Sequence, residues 1–202
     1  MDRFVKALLD RVLALFLLAL FSPIFFAIVG ILMFQPGPIF FSQKRIGKGG
    51  VGVRIFKFRS MVVDSDSALK AHLESSPAAA LEWKKYRKLK EDPRVTSVGK
   101  IIRRYSLDEL PQLVNVLQGS MSLVGPRPVA EDELARYGPS KRYYLQVKPG
   151  ITGIWQVTRT DETSYTRRVA LDRVYVIKRT VCLDLRIMLL TGLRLIAPRG
   201  AY

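Results

Sequence analysis

Val12 to Phe34 is a run of 23 residues without a charge, interrupted near its middle by Ser22-Pro23. No other feature narrows the possible folds as much, because so long an apolar run must be hidden from water. It is long enough to cross the roughly 30 Å apolar core of a bilayer. It does not read as a cleaved secretory signal, whose apolar stretch is about 7–15 residues and ends at a small-x-small site. The run is therefore expected to stay attached and hold the protein on a membrane.

Two observations argue against a plain span. Arg3, Lys6 and Arg11 precede the run, and Lys44, Arg45 and Lys48 follow it. Lys and Arg favour the cytoplasmic side, and here both flanks are basic. Pro23 removes a backbone hydrogen bond and kinks a helix. The halves of about 10 and 12 residues are then each only about 15–18 Å long. A helix-break-helix that enters one leaflet and returns to the same side fits both facts. A kinked single span with its N-terminus outside is the alternative. Near the other end, Leu183 to Ile196 carries charges only at Asp184, Arg186 and Arg194. It is too short and too charged to span, and reads either as an amphipathic helix in the interface or as a core helix.

Charge limits the partners. A formal net charge of +16 and a pI near 10.3 point to anions: nucleic acid, anionic lipid or phosphorylated small molecules. Tyr86, Tyr143 and Tyr144 are aromatic residues that a membrane-tethered nucleic-acid binder would use for stacking, but no nucleic-acid-binding motif accompanies them. Cys182 is the sole cysteine, so one chain builds no disulfide framework, which suits a reducing compartment. Between Val181 and Leu183 it reads as a small core residue. His72 is the sole histidine, which argues against His–carboxylate chemistry and a His-rich zinc site. No Walker-type phosphate loop is present, and the glycines at 47, 49 and 52 fall in the turn of a candidate hairpin rather than between a strand and a helix.

Pro36-Gly37-Pro38 ends the apolar segment. This divides the chain into an apolar hairpin segment expected to meet a membrane, 1–38, and a second domain, 39–202, where the candidate chemistry must lie. Ile39–Lys44 and Val51–Phe58 read as a β-hairpin around Gly47, Gly49 and Gly50. From Asp64 to Asp92 the pattern is helical and charged, split at Pro77, with a basic end at Lys84, Lys85, Arg87, Lys88 and Lys90. That end is a solvated face or rests on anionic headgroups. Val98–Tyr105 is a further short element, and 130–137 is helical. Ser106 and Glu109 have the spacing of a capping box, followed by Leu110, Leu113, Val114 and Leu117 at helical spacing until Gly119. This places Asp108 in a first turn whose dipole favours the ionised carboxylate. The fold class expected is α+β: mainly helical, with a small β-hairpin, an N-terminal re-entrant helix pair and amphipathic interfacial helices.

Asp108 and Glu109 are adjacent acids beside Arg103 and Arg104 in a very basic chain. A carboxylate attacks phosphorus competently, giving an acyl phosphate. Magnesium binds through one or two carboxylates plus substrate phosphates. Arg103, Arg104, Arg127 and Arg159 are suited to holding phosphates, and Gly125-Pro126-Arg127-Pro128 is rigid enough to aim its arginine. By spacing alone, the acids also fit ordinary capping and surface roles, and each arginine taken singly also fits a surface charge.

Together these segments resemble the bacterial sugar transferases, the monotopic polyprenyl-phosphate phosphoglycosyl transferases. The resemblance rests on Ser22-Pro23, Lys57-Phe58-Arg59-Ser60-Met61, Arg103 through Leu113, Met121 through Pro128, and Lys148-Pro149-Gly150-Ile151-Thr152-Gly153, in family order over nearly the whole length. Within the family, the 64–92 insertion, Ile154-Trp155-Gln156 and the ending Arg199-Gly200-Ala201-Tyr202 look most like the catalytic domain of undecaprenyl-phosphate galactose phosphotransferases. Many of those carry further transmembrane helices and a domain before this core, so the chain resembles a short form. The resemblance implies that Asp108 takes a sugar phosphate from a UDP-sugar, releasing UMP, before undecaprenyl phosphate attacks the covalent intermediate. It implies Mg²⁺ held by Asp108 and Glu109. Phosphates would be held by Arg103, Arg127 and Arg159, with Lys57 and Arg59 nearby. It also implies a re-entrant hairpin bent at Ser22 and Pro23, on the cytoplasmic face of a bacterial inner membrane. UDP-galactose or UDP-glucose is the expected donor, and the product would enter exopolysaccharide, capsule or O-antigen synthesis. Anionic lipid and a second copy of the chain are further candidate partners; nucleic acid is not one. One departure is Thr158-Arg159-Thr160, where the family often has Gly-Arg-Asn.

Overall fold

The computed structural model describes residues 3–86, 89–160 and 164–196. It begins with two helices, α1 (Arg3–Leu20) and α2 (Ser22–Met33), bent by 61° at the break between them. The Ser22 hydroxyl donates to the Ala19 carbonyl at 2.8 Å. Pro23 lies in the first turn of α2, where its missing N–H leaves no helical bond unmade. No single described helix is long and apolar enough to cross a membrane; only the bent pair passes that test, and by length and composition alone.

The two faces of α1 differ. Leu8, Val12, Leu15, Phe16 and Leu20 are exposed, while Ala14 is fully buried and Leu13, Leu17 and Leu18 pack into the main core. A polar anchor strengthens this docking. Asp10 accepts from Ser122 Oγ at 2.7 Å and from the Leu123 N–H at 3.3 Å. Lys6 bridges Asp10 at 3.1 Å and Asp184 at 2.8 Å, and the Tyr175 hydroxyl donates to Asp184. Removing one partner from a buried ion pair typically costs about 3–5 kcal/mol. Helix α1 thus shares a core with the segment beyond residue 38.

Strands β1 (Phe40–Ile46) and β2 (Gly52–Phe58) pair antiparallel, with Phe40 opposite Phe58 and Phe41 opposite Lys57. The turn between them is a short 3₁₀ segment, Lys48–Gly50. Phe58 is buried beneath Phe25 of α2 and Phe40, so the end of the hairpin sheet seats α2. The outer edge of β2 is completed by a side chain. Buried Asn115 accepts from the Phe56 N–H and donates to the Arg54 carbonyl, which satisfies backbone groups that would otherwise be left unpaired.

Helices α3 (Ser65–Ser75) and α4 (Pro77–Tyr86) meet at Pro77, as the sequence indicated. The side chains of Lys85 and Tyr86, and all of Arg87 and Lys88, lie outside the described residues, as does the ending from Arg199 to Tyr202. Helix α5 (Ser97–Arg104) leads through a 3₁₀ turn, Leu107–Glu109, into α6 (Gln112–Leu117). The expected capping box is not formed. Ser106 adopts a left-handed backbone (φ 55°) and its side chain caps nothing. Pro111 is the cause: it cannot donate within a continuous helix, so α6 starts after it and the acids fall in the preceding 3₁₀ turn.

Beyond α6 come β3 (Ser122–Val124), α7 (Glu131–Ala135), α8 (Lys141–Tyr144), β4 (Gly150–Thr152), α9 (Ile154–Thr158), α10 (Tyr165–Lys178) and α11 (Val181–Ile196). β3 and β4 form a parallel pair, Ser122 opposite Gly150 and Val124 opposite Thr152. Gly125 and Gly150 let these backbones meet: a Cβ on Gly150 would collide with the Gly125 backbone. Helix α11 has one buried face and one exposed apolar face. Ile187 and Asp184 are buried and Thr191 bonds Thr152, whereas Leu185, Leu189 and Leu193 form an exposed apolar stripe. Cys182 lies on that outer side and is exposed, which corrects its placement in the core; the residue sits on the stripe's helical spacing. Tyr144, a candidate for base stacking, is buried, with its hydroxyl donating to the Ile46 carbonyl.

Candidate active site

Asp108 and Glu109 project from the 3₁₀ turn towards β2, where Lys57 meets both. Its ammonium lies 3.2 Å from Asp108 Oδ2 and 2.8 Å from Glu109 Oε1. The acids are mostly buried, at 13% and 19% side-chain exposure. Alternation along β2 brings Lys57 to this side, and the Asn115 clasp on Arg54 and Phe56 fixes the strand beside it.

The arginines arrive from different elements. Arg127, following the rigid Gly125-Pro126, reaches Glu109 Oε1 at 3.6 Å. Arg103, at the end of α5, donates to Ser60 Oγ at 2.8 Å and exerts its charge on Asp108. Arg159 follows α9 and exerts its charge on Glu109. Arg127, Arg159 and Arg168 all lie within 6 Å of the Trp155 ring centroid, at 5.9, 5.5 and 4.9 Å. The indole face attracts each cation, so one ring groups three guanidiniums, of which Arg127 and Arg159 also act on Glu109. Trp155 and Arg168 had no role in the sequence reading. Trp155 was noticed only as a likeness to one branch, and a lone arginine inside α10 carries no spacing signal.

Two residues are used elsewhere. Arg59 is buried and donates to the carbonyls of Pro36 and Gln35, holding the chain where it leaves α2. Strand β2 ends at Phe58, so the alternation that would align Arg59 with Lys57 no longer applies. Arg104 is exposed, over the Tyr105 ring.

The two acids differ electrostatically. Burial pushes the Asp108 carboxyl up, adjacent Glu109 adds to this, and Lys57 opposes it. Glu109 also loses hydration, yet Lys57, Arg127 and Arg159 hold it below its ordinary value. The expectation that a helix dipole keeps Asp108 ionised is thus corrected: the turn is not α-helical, and desolvation dominates. For a divalent cation, the described residues include no cluster of three or more acidic, histidine or cysteine ligands. The pair nonetheless fits Mg²⁺, which takes few protein carboxylates and completes its shell with phosphates and water. Lys57 now supplies the positive charge between them.

Comparison with known proteins gives this site a family. The model described as bacterial sugar transferase matches residues 1–198, and the chain belongs to that family. It is 43% identical over 198 residues to the exopolysaccharide production protein ExoY of Sinorhizobium fredii, covering 98% of this chain and 88% of that one. It is 44% identical over 201 residues to the undecaprenyl-phosphate galactose phosphotransferase of Salmonella typhimurium, covering 100% of this chain and 42% of the relative. With the UDP-glucose:undecaprenyl-phosphate glucose-1-phosphate transferase of Xanthomonas campestris pv. campestris it shares 42% over 206 residues, or 98% and 40% of the two lengths. The chain thus spans less than half of the latter two relatives.

Proposed function

We propose that this protein transfers a sugar 1-phosphate from a UDP-sugar to a polyprenyl phosphate at a membrane surface, releasing UMP. The observation that carries the reading is the convergence of Lys57, Arg127 and the Asp108–Glu109 pair at one point. The acceptor named in the Salmonella and Xanthomonas relatives is undecaprenyl phosphate, and their sugars are galactose and glucose. These are the acceptor and donor sugars proposed here.

The chemistry is a double displacement. An Asp108 carboxylate oxygen attacks the phosphorus that bears the sugar. The bond from that phosphorus to the bridging oxygen breaks, and UMP departs with the oxygen and its electron pair. The acceptor phosphate oxygen then attacks the same phosphorus and breaks its bond to Asp108, restoring the carboxylate and giving a polyprenyl diphosphate sugar. Arg127, Arg159 and Arg103 neutralise the phosphate oxygens and hold them in line, which is most of what phosphoryl transfer needs. A Mg²⁺ ion on the acids would add charge neutralisation at the diphosphate. Glu109, held ionised by its cations, suits the ligand role, and Asp108 suits the nucleophilic one.

The α1–α2 pair serves the acceptor. At 12 residues, α2 is about 18 Å long, well short of a bilayer's apolar core. With its exposed Phe26, Ile31 and Met33, and Phe34 just beyond its end, it suits a re-entrant hairpin in the cytoplasmic leaflet of a bacterial inner membrane, with the bare stripe of α11 resting in the interface. The test is UMP release from UDP-galactose and UDP-glucose with undecaprenyl phosphate and Mg²⁺, together with trapping of labelled sugar phosphate on the protein. Asp108→Asn should abolish both; retained turnover in that variant would reject the nucleophile.

A further inference from the structure

A second basic site lies apart from the acid pair. A cavity of about 400 Å³ is lined by Lys48, Arg54, Asn115, Gly119 and Lys148, among others, and contains no carboxylate. A smaller one of about 100 Å³ shares Lys48 and Lys148 with it and adds Lys6 and Arg179; its Asp10 is engaged by Lys6, Ser122 and Leu123. Neither cavity is lined by Lys57, Asp108, Glu109, Arg103, Arg127 or Arg159, although the larger borders the Asn115 clasp on β2. Two cations converge over Gly119. A Cβ built there would lie 2.9 Å from Arg11 Nη2 and 3.5 Å from Lys148 Nζ, and φ at this glycine is +81°. Arg11 is held in place through Nε, which donates to the Leu117 carbonyl at 3.3 Å. Neither Lys48 nor Lys148 forms an ion pair among the described residues. Burial pushes the Lys148 ammonium down, and Arg11, Lys48 and Lys6 push it further than Asp10 restores it. This is a preformed cradle of positive charge, with a vacant side-chain position at its floor.

We propose that Arg11, Lys48 and Lys148 form a site over Gly119 for the phosphate of an anionic lipid headgroup. Position on the chain selects the source. Arg11 directly precedes Val12, where the uncharged run begins, so a hairpin seated in a leaflet holds this cradle at headgroup level. A soluble phosphate would meet the same cations, but nothing would keep it at that depth. The choice of lipid over soluble phosphate rests on the re-entrant reading above.

Flotation of the full chain with vesicles separates these ideas. Phosphatidylcholine vesicles report the hairpin alone, and vesicles also containing phosphatidylglycerol report the cradle. The wild type should float with both, several-fold better with phosphatidylglycerol. Lys148→Gln should reduce that preference by roughly five-fold, near what one basic residue contributes at an anionic surface, while Lys84→Gln, with the same net charge, should keep it. Gly119→Ala changes no charge but fills the cradle, and should weaken the preference while flotation on phosphatidylcholine persists. Equal losses in Lys148→Gln and Lys84→Gln, or no loss in either, would overturn the site. Thermal stabilisation by inorganic phosphate in detergent, lost in Lys148→Gln, without any phosphatidylglycerol preference would overturn the lipid assignment. Failure to float on phosphatidylcholine would instead reject the hairpin.

Discussion

The Lys57 ammonium lies 2.8 Å from the Glu109 carboxylate and is shared with Asp108. One cation thus stabilises two adjacent, largely dehydrated acids. Lys57→Met removes it, and both carboxyls should then hold protons more tightly, since burial and mutual repulsion would remain. Sugar phosphate transfer at neutral pH should fall by about 100-fold, the scale of losing one electrostatic partner in a catalytic site. The check is single-turnover UMP release as a function of pH: the variant's profile should rise at higher pH than the wild type's.

Arg168 is 7% exposed, and its guanidinium lies 4.9 Å from the Trp155 ring and 3.3 Å from Glu133. Among the described residues, its Nε and Nη2 atoms have no hydrogen-bond partner. The rings of Trp155 and Tyr165, the latter at 5.3 Å, are therefore principal contacts, and a positioning role for Arg168 towards Arg127 and Arg159, which share the Trp155 ring, is the prediction to test. Lysine keeps the charge but not the planar head. Arg168→Lys should raise KM for the UDP-sugar several-fold while kcat changes less. A fall in kcat with KM unchanged would count against positioning, and Trp fluorescence should report the altered ring environment.

Asp172 accepts from the Tyr137 hydroxyl at 2.7 Å, and burial raises its carboxyl to about 6. The folded protein therefore binds a proton between about pH 4 and 6 that the unfolded chain has released. By linkage this contribution is greatest below pH 4 and is lost as pH rises through 6, on the order of 3 kcal/mol in all. Asp172→Asn keeps an acceptor for Tyr137 and removes the titration. Its thermal midpoint should gain on the wild type's as pH is raised from 4 to 7, measured by circular dichroism.

These predictions draw on residues of uneven legibility. The β-hairpin, the Pro77 break and the bend at Ser22-Pro23 were readable because each has a local cause: alternation, a missing N–H, or a kink. Asp108 and Glu109 were readable as a pair, yet their turn was misassigned, because Pro111 shifts the helix start in a way that capping spacing does not reveal. The β3–β4 pair has three residues per strand, too few for a period, and its close approach depends on glycines far apart in sequence. Arg59 and Lys57 are two positions apart, but one faces the acids and the other the exit of α2, a difference set by where β2 stops. The grouping of arginines on Trp155 is tertiary and has no linear signature.

On the proposed re-entrant reading, the bend between α1 and α2 would set the topology. Its 61° angle depends on Pro23 and on Ser22, whose hydroxyl takes the Ala19 carbonyl that a continuous helix would engage with a backbone N–H. Replacing both residues by alanine should favour one straight helix, and 23 apolar residues at 1.5 Å each give about 35 Å, enough to span. The change opposes the docking of α1 through Asp10, so a mixture of the two forms is the expected outcome. A cysteine label measures it, provided Cys182, which is exposed, is first changed to serine. In that background Asp2→Cys should resist a membrane-impermeant maleimide added to intact cells. Adding Ser22→Ala and Pro23→Ala should make a fraction reactive from outside and lower transfer activity in proportion. Outside labelling before the alanine changes would mean that the hairpin already spans.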